Sequence, residues 1–233
     1  MTVSAEINYP QRIAFDAANN LYIADLGSQR VRKVTPQGII GTVAGTGALG
    51  SSGDGAQAVN ANLRYPIAVS LDSLNNLYIL EFQNAVYGAS SLAPRVRKVS
   101  QGGVITTVAG NGINFSYGDG GPATSASLYS PSDIALDSSG NLYIVDGADC
   151  RVRKVAGGII STIAGTGACL PSPDGLAAAS SLNYPYRVSL DSFDNLYIGE
   201  RSRVRKIAAN QTMLTTFAGT GVGGYSGDGG SPL

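Results

Sequence analysis

Apolar residues fall in short runs separated by turn-forming clusters. Between residues 131 and 164 the runs are Asp133-Ile134-Ala135-Leu136, Leu142-Tyr143-Ile144-Val145, Val152–Val155 and Ile159–Ala164. They are rich in Val, Ile, Leu and Tyr, and none continues the 3.6-residue spacing of an amphipathic helix, so the pattern predicts four strands. Asp137-Ser138-Ser139-Gly140-Asn141 is a tight turn in which Asp and Asn side chains bond the local backbone. Ala156-Gly157-Gly158 closes a hairpin between the last two strands. Pairs such as Ile159-Ile160 and Ile163-Ala164 are apolar on both sides, which predicts strands covered on both faces.

The same pattern occurs four times. Asn-Leu-Tyr-Ile starts at Asn20, Asn76, Asn141 and Asn195, at spacings of 56, 65 and 54 residues. Arg-Val-Arg-Lys follows at Arg30, Arg95, Arg151 and Arg203, and Ala-Gly-x-Gly at Ala44, Ala109, Ala164 and Ala218. An Asp-Gly turn comes next, at Asp54, Asp119, Asp174 and Asp228. Each repeat opens at Pro10, Pro66, Pro131 or Pro185 and reaches Asp16, Asp72, Asp137 or Asp191 six residues later. Four-stranded antiparallel units at such a period predict an all-β chain and a β-propeller. The expected blades are residues 5–57, 58–122, 123–177 and 178–233 of a single propeller region.

These motifs resemble the NHL-repeat family of propellers over nearly the whole chain. The Gly118–Ala123 linker, Gly-Asp-Gly-Gly-Pro-Ala, is similar to the longer-period variant of bacterial and extracellular multidomain proteins. The family's familiar ring has six blades and this chain has four. The expectation is therefore either a small closed ring or part of a longer array, the latter favoured. An open arc would expose sheet faces and self-associate through them.

Composition narrows function by exclusion. The 233 residues carry 16 Lys+Arg against 16 Asp+Glu, with no His. The missing imidazole removes every mechanism built on it. The zero net charge argues against nucleic-acid binding, which normally shows a basic excess. Twelve of the basic residues lie in the Arg-Val-Arg-Lys strings, and twelve acidic ones also hold repeat positions. Matched counts predict that these charges pair within a framework, the repeated Asp residues acting as turn formers. Residues 1–6 lack a signal-peptide pattern and no apolar run is long enough for a membrane helix, so no membrane insertion is expected. An extracellular or cell-surface part of a longer protein is favoured over a cytoplasmic one.

What does not repeat is where specific function is expected. Arg12, Asp133 and Arg187 share one position, two residues after the opening Pro, and would line the mouth of a central channel. Tyr186 adjoins that position. Either they select an anionic or amide ligand or they form a solvated rim. The second repeat carries an insertion between Glu81 and Pro94, whose Phe82 and Tyr87 are either contact residues or packed on their own blade. Cys150 precedes a third strand and Cys169 follows the fourth, so a disulfide is geometrically allowed beside the alternative of two unpaired thiols.

The leading expectation is a non-enzymatic interaction or scaffold module that binds a protein or carbohydrate partner through a loop-rich face. The alternative is a metal-dependent lactonase- or lyase-like enzyme at the channel mouth. The resemblance to propeller lyases implies His-ligated metal, which this chain lacks. Gluconolactonase-type propellers use carboxylate and Asn ligands, which leaves a Ca²⁺ site open, although no cofactor is expected.

Overall fold

The computed structural model describes residues 5–82, 94–113 and 115–233. The chain divides into two compact units, Met1–Asn114 and Phe115–Leu233. The first unit holds one sheet of β1 (Pro10–Phe15), β2 (Leu21–Asp25), β3 (Arg30–Val34) and β4 (Ile40–Ala44). Its second sheet is β5 (Pro66–Leu71), β6 (Leu77–Glu81), β7 (Arg95–Val99) and β8 (Ile105–Ala109). The second unit holds β9 (Pro131–Leu136), β10 (Leu142–Asp146), β11 (Arg151–Ala156) and β12 (Ile159–Ala164). It also holds β13 (Gly175–Leu176), β14 (Arg187–Leu190), β15 (Leu196–Gly199), β16 (Val204–Ile207) and β17 (Met213–Ala218). Each sheet is an antiparallel meander in chain order, and β13 adds a short fifth strand beside β17.

Local chemistry explains the repeated turn. The Asp137 carboxylate accepts the amides of Ser139 at 3.1 Å and Asn141 at 2.8 Å, the Asn141 side-chain amide at 2.8 Å and the Tyr143 hydroxyl at 3.1 Å. Lys154 lies 3.4 Å from that carboxylate and 4.9 Å from the Tyr143 ring centroid. One carboxylate thus joins the turn, the strand after it and the next strand's lysine. Asp16, Asp72 and Asp191 make the same turn. The Asn195 amide, with the local backbone and the Tyr197 hydroxyl, holds the Asp191 carboxyl down at about 2.

The linkers are not spacers. Gly120 donates to Ile160 O at 2.8 Å and Ile160 donates back to Gly121 O at 3.1 Å, so the linker lies along the outer edge of β12. Gly55 and Ala56 treat Ile105 on β8 in the same way, and β13 does so on β17. The Asp54, Asp119 and Asp174 linkers therefore belong structurally to the sheets that follow them. Gly118 and Gly120, at φ 97° and 81°, take backbone conformations that other residues rarely adopt. The same linkers feed the cores: Leu63 packs with Val31, Ala44 and Ile79 in the first unit, and Leu182 with Val152, Ile198 and Leu214 in the second. Burying a leucine side chain of this kind is worth about 2 kcal/mol.

Candidate functional site

The Arg-Val-Arg-Lys strings resolve into three jobs. The first arginine reaches the carbonyl after the Ala-Gly turn: Arg30 bonds Thr46 O at 2.5 Å and Arg151 bonds Thr166 O at 2.9 Å. The lysine closes the Asp turn described above. The second arginine is buried in three of the four strings. Arg153 donates from Nε at 2.9 Å and Nη2 at 2.5 Å to Asp119 Oδ1, from Nη1 at 2.8 Å to Ser127 O, and lies 3.9 Å from Asp146. Arg97 does the same with Asp54 at 2.6 Å and Glu81 at 3.5 Å, and Arg205 with Asp174 at 3.3 Å and Glu200 at 3.8 Å. The three side chains are at most 1% exposed. Their charge is therefore spent on internal carboxylates, not displayed to a polyanion.

The linker aspartates go beyond turn formation, the role expected of them. Asp54, Asp119 and Asp174 also bond the threonine opposite a buried arginine: Thr162 gives its amide at 3.0 Å and its hydroxyl at 2.6 Å to Asp119, and Thr216 its amide at 2.9 Å to Asp174. Desolvation pushes these carboxyls up, but the threonine and arginine donors outweigh it and leave Asp54, Asp119 and Asp174 below the ordinary value. Deeper carboxyls go the other way. Burial raises Glu81, and it raises Asp146 to about 7.

The unrepeated charges of the second unit stitch its two sheets together. Asp133 is buried and its Oδ2 accepts the Val188 amide of β14 at 3.0 Å. Asp194 accepts the Ser138 amide at 2.9 Å and hydroxyl at 2.5 Å. Arg187 bonds Ser132 O at 3.4 Å and its own neighbour's Tyr186 O at 3.0 Å, with its guanidinium 5.9 Å from the Tyr186 ring centroid. A side-chain carbon at Gly147 would lie 3.2 Å from Pro185 O and 3.4 Å from Ser130 O, so the starts of β9 and β14 meet over this glycine.

Around those strand starts the surface is aromatic and cationic. Tyr129, Tyr184 and Tyr186 are 41–56% exposed, and Arg187 is exposed beside them. Asp133, expected on an open rim, is enclosed beneath this patch. Arg12 lies half-buried on β1 in the first unit. Phe82 is half-buried after β6, with its amide bonded to Arg64 O and Tyr65 O at 3.2 Å each, while Tyr87 lies outside the described residues. Tyr129 and Tyr184 lie in the loops before Pro131 and Pro185, where no local pattern marks them, and only packing shows that they remain exposed.

Cys150 and Cys169 form a disulfide with a Cα separation of 5.2 Å. It ties the buried residue before β11 to the loop after β12. At the opposite, turn end of the second unit is a cleft of about 790 Å³ between its two sheets, with Lys154, Leu176, Phe193, Asp194 and Gln211 in its walls. Among the described residues no three His, Cys, Asp or Glu side chains group as a metal site, and no helix is long and apolar enough to cross a membrane.

Known proteins share both sequence and fold with this chain. Residues 114–170 match the teneurin NHL domain. Teneurin-3 of Mus musculus is 25% identical over 238 residues that cover 92% of this chain, and teneurin-4 of Homo sapiens is 38% identical over 100 residues, or 40% of the chain. The chain spans only 8% and 4% of the lengths of those two relatives. Among solved structures, one from a nidogen/laminin complex aligns with a TM-score of 0.60 at 16% identity, over 91% of this chain and 65% of its own. A virginiamycin B lyase from Staphylococcus aureus, catalytically inactive after replacement of a histidine by alanine, aligns with a TM-score of 0.55 at 15% identity, over 92% and 57%. Motifs, sheets and likenesses agree on a β-propeller chain of four antiparallel blades that carries NHL-type repeats and is similar to the teneurin NHL domain.

Proposed function

We propose that the chain is a non-enzymatic interaction module, part of a longer extracellular protein, that binds a protein partner through the Tyr129, Tyr184, Tyr186 and Arg187 surface. The observation that carries this reading is three exposed tyrosines around an exposed arginine, on strand starts fixed by buried hydrogen bonds. Tyrosine and arginine dominate binding hot spots, because each offers a large contact area and a polar tip for little ordering cost. The strand starts beneath are tied by the bond from the Val188 amide to Asp133, which lowers the ordering cost of binding. A carbohydrate partner would use the same aromatic faces. The disulfide supports an oxidising compartment.

The likeness to the lyase is a likeness of fold. The histidine whose loss inactivates that enzyme has no counterpart in a chain without histidine. A panel of secreted ectodomains and a glycan array, probed with the chain and with a Tyr184→Ser/Tyr186→Ser/Arg187→Ser variant, tests the proposal. We expect a protein binder whose affinity falls at least tenfold in the variant. A binder indifferent to the three substitutions would overturn this assignment. So would a bound divalent ion with lactone or lyase turnover, which would favour a metal-dependent enzyme.

A further inference from the structure

The cleft at the turn end of the second unit draws all its walls from residues 137–212, and two departures from the repeat shape it. The first makes room. Ala178 and Ala179 stand where the linkers before β5 and β9 carry Val59-Asn60 and Thr124-Ser125, so short side chains border the cleft. The second supplies charge. In the other three sheets the left-handed residue of the turn between the first two strands is Asn19, Asn75 or Gly140, types that adopt this conformation readily. In the last sheet it is Asp194, at φ 60°.

Asp194 is held in place. The Asp191 carboxylate accepts the amides of Phe193 at 3.0 Å and Asn195 at 2.9 Å, and the Asp194 amide bonds Asp191 O at 3.0 Å. The Asp194 carboxylate takes one bond on each oxygen, from the Ser138 amide at 2.9 Å and hydroxyl at 2.5 Å, which leaves further lone pairs to accept with. The charges of the walls do not balance. Lys154 is their one cation and is paired with Asp137 at 3.4 Å, so among the described residues of the cleft nothing compensates Asp194. The remaining walls are mostly apolar, with Ile163, Leu176, Leu196 and Ile207 beside the alanines, and Phe193 lines them while 78% exposed. A cavity of about 790 Å³ with few polar groups has the size and character of a site for a small organic molecule.

We propose that this cleft binds an organic monocation, an amine with a bulky apolar body. The body would cover the aliphatic wall, and the protonated nitrogen would donate to a free lone pair of Asp194. The exposed ring of Phe193, the preceding residue, attracts the same charge, because an ammonium group favours an aromatic face. An anion of the same shape would meet an uncompensated carboxylate, and a neutral molecule would forfeit the charged bond.

Imipramine, a tricyclic amine protonated at neutral pH, tests this by two-dimensional NMR on the ¹⁵N-labelled 233-residue chain, titrated to about 1 mM, where weak binding is still populated. The neutral tricycle carbamazepine is the control. We expect saturable shifts within residues 176–179, 193–196 and 207–212 for imipramine, and an affinity at least tenfold lower for carbamazepine. Asp194→Asn keeps an oxygen for the Ser138 amide and suits the left-handed turn, and it should weaken imipramine at least tenfold. Ala178→Phe, at an exposed position where the linker before β5 carries Val59, should do the same by filling the cleft. Spectra of the free variants that match the parent away from the cleft show that the fold is kept. No saturable shift in the parent chain, or shifts centred on Tyr129, Tyr184 and Tyr186 instead, would overturn the proposal. So would equal affinity for the two tricycles, or imipramine binding indifferent to either substitution.

Discussion

Removing the Cys150–Cys169 bond should loosen the second unit selectively. The bond closes a loop between residues 19 apart, and the loss of that constraint on the unfolded chain amounts to about 3 kcal/mol. Replacing both cysteines by serine adds little to this. Cys150 Sγ already lies 3.5 Å from Gly147 O, an acceptor ready for a buried hydroxyl. The first unit supplies an internal scale. Gln29 occupies the corresponding left-handed position at φ 52°, against 47° for Cys150, and its side chain accepts a 2.6 Å bond from the Tyr65 amide. Gln29→Ala should cost about 1 kcal/mol, the worth of one such bond. Hydrogen exchange read by mass spectrometry separates the two units, which a global melting curve does not. Peptides over β11 and β12 should lose protection about 100-fold in the Cys→Ser pair, while those over β3 and β4 keep theirs. A loss in β11 and β12 no larger than the loss that Gln29→Ala causes in β3 and β4 would refute the reasoning.

Two further substitutions probe burial and charge. Asp133→Ala leaves the Val188 amide without its acceptor and should cost about 1–3 kcal/mol, whereas Arg187→Ser on the exposed patch should stay within about 0.5 kcal/mol in urea unfolding; equal costs would contradict the assignment of one to the scaffold and the other to the surface. Asp146 has a folded-state pKa raised to about 7, above its ordinary 3.8, so the fold holds that proton more tightly than the unfolded chain does. Its contribution is full below about pH 4 and is lost as pH rises toward about 7. Asp146→Asn, which keeps an acceptor for the Tyr129 amide, should therefore gain on the parent chain between pH 4 and 7 in urea midpoints; a pH-independent difference would count against the raised pKa.

Much of the fold was legible because the repeat writes it four times. Asp137, Asn141, Tyr143 and Lys154 close a turn that needs nothing from outside the blade, so a local pattern suffices to find it. The linkers were harder. Asp119 sits in a Gly-Asp-Gly string that looks like a turn, and nothing local reveals that its carboxylate is clasped by Arg153, 34 residues later. Asp133 was hard for another reason: its place two residues after Pro131 is local, but its burial and its bond from the Val188 amide come from the next sheet. The exposed patch was half legible, through Tyr186 and Arg187. Tyr129 and Tyr184 became visible only when the two strand starts were seen to meet over Gly147.

Arg97, Arg153 and Arg205 are internal framework, each clasping a linker aspartate. A double-mutant cycle on Asp119→Asn and Arg153→Met measures that clasp directly. With Arg153 Nε and Nη2 bonded to Asp119 Oδ1 at 2.9 and 2.5 Å, a coupling of about 2 kcal/mol is predicted. Effects that add to within about 0.5 kcal/mol would contradict it and return the arginines to the surface.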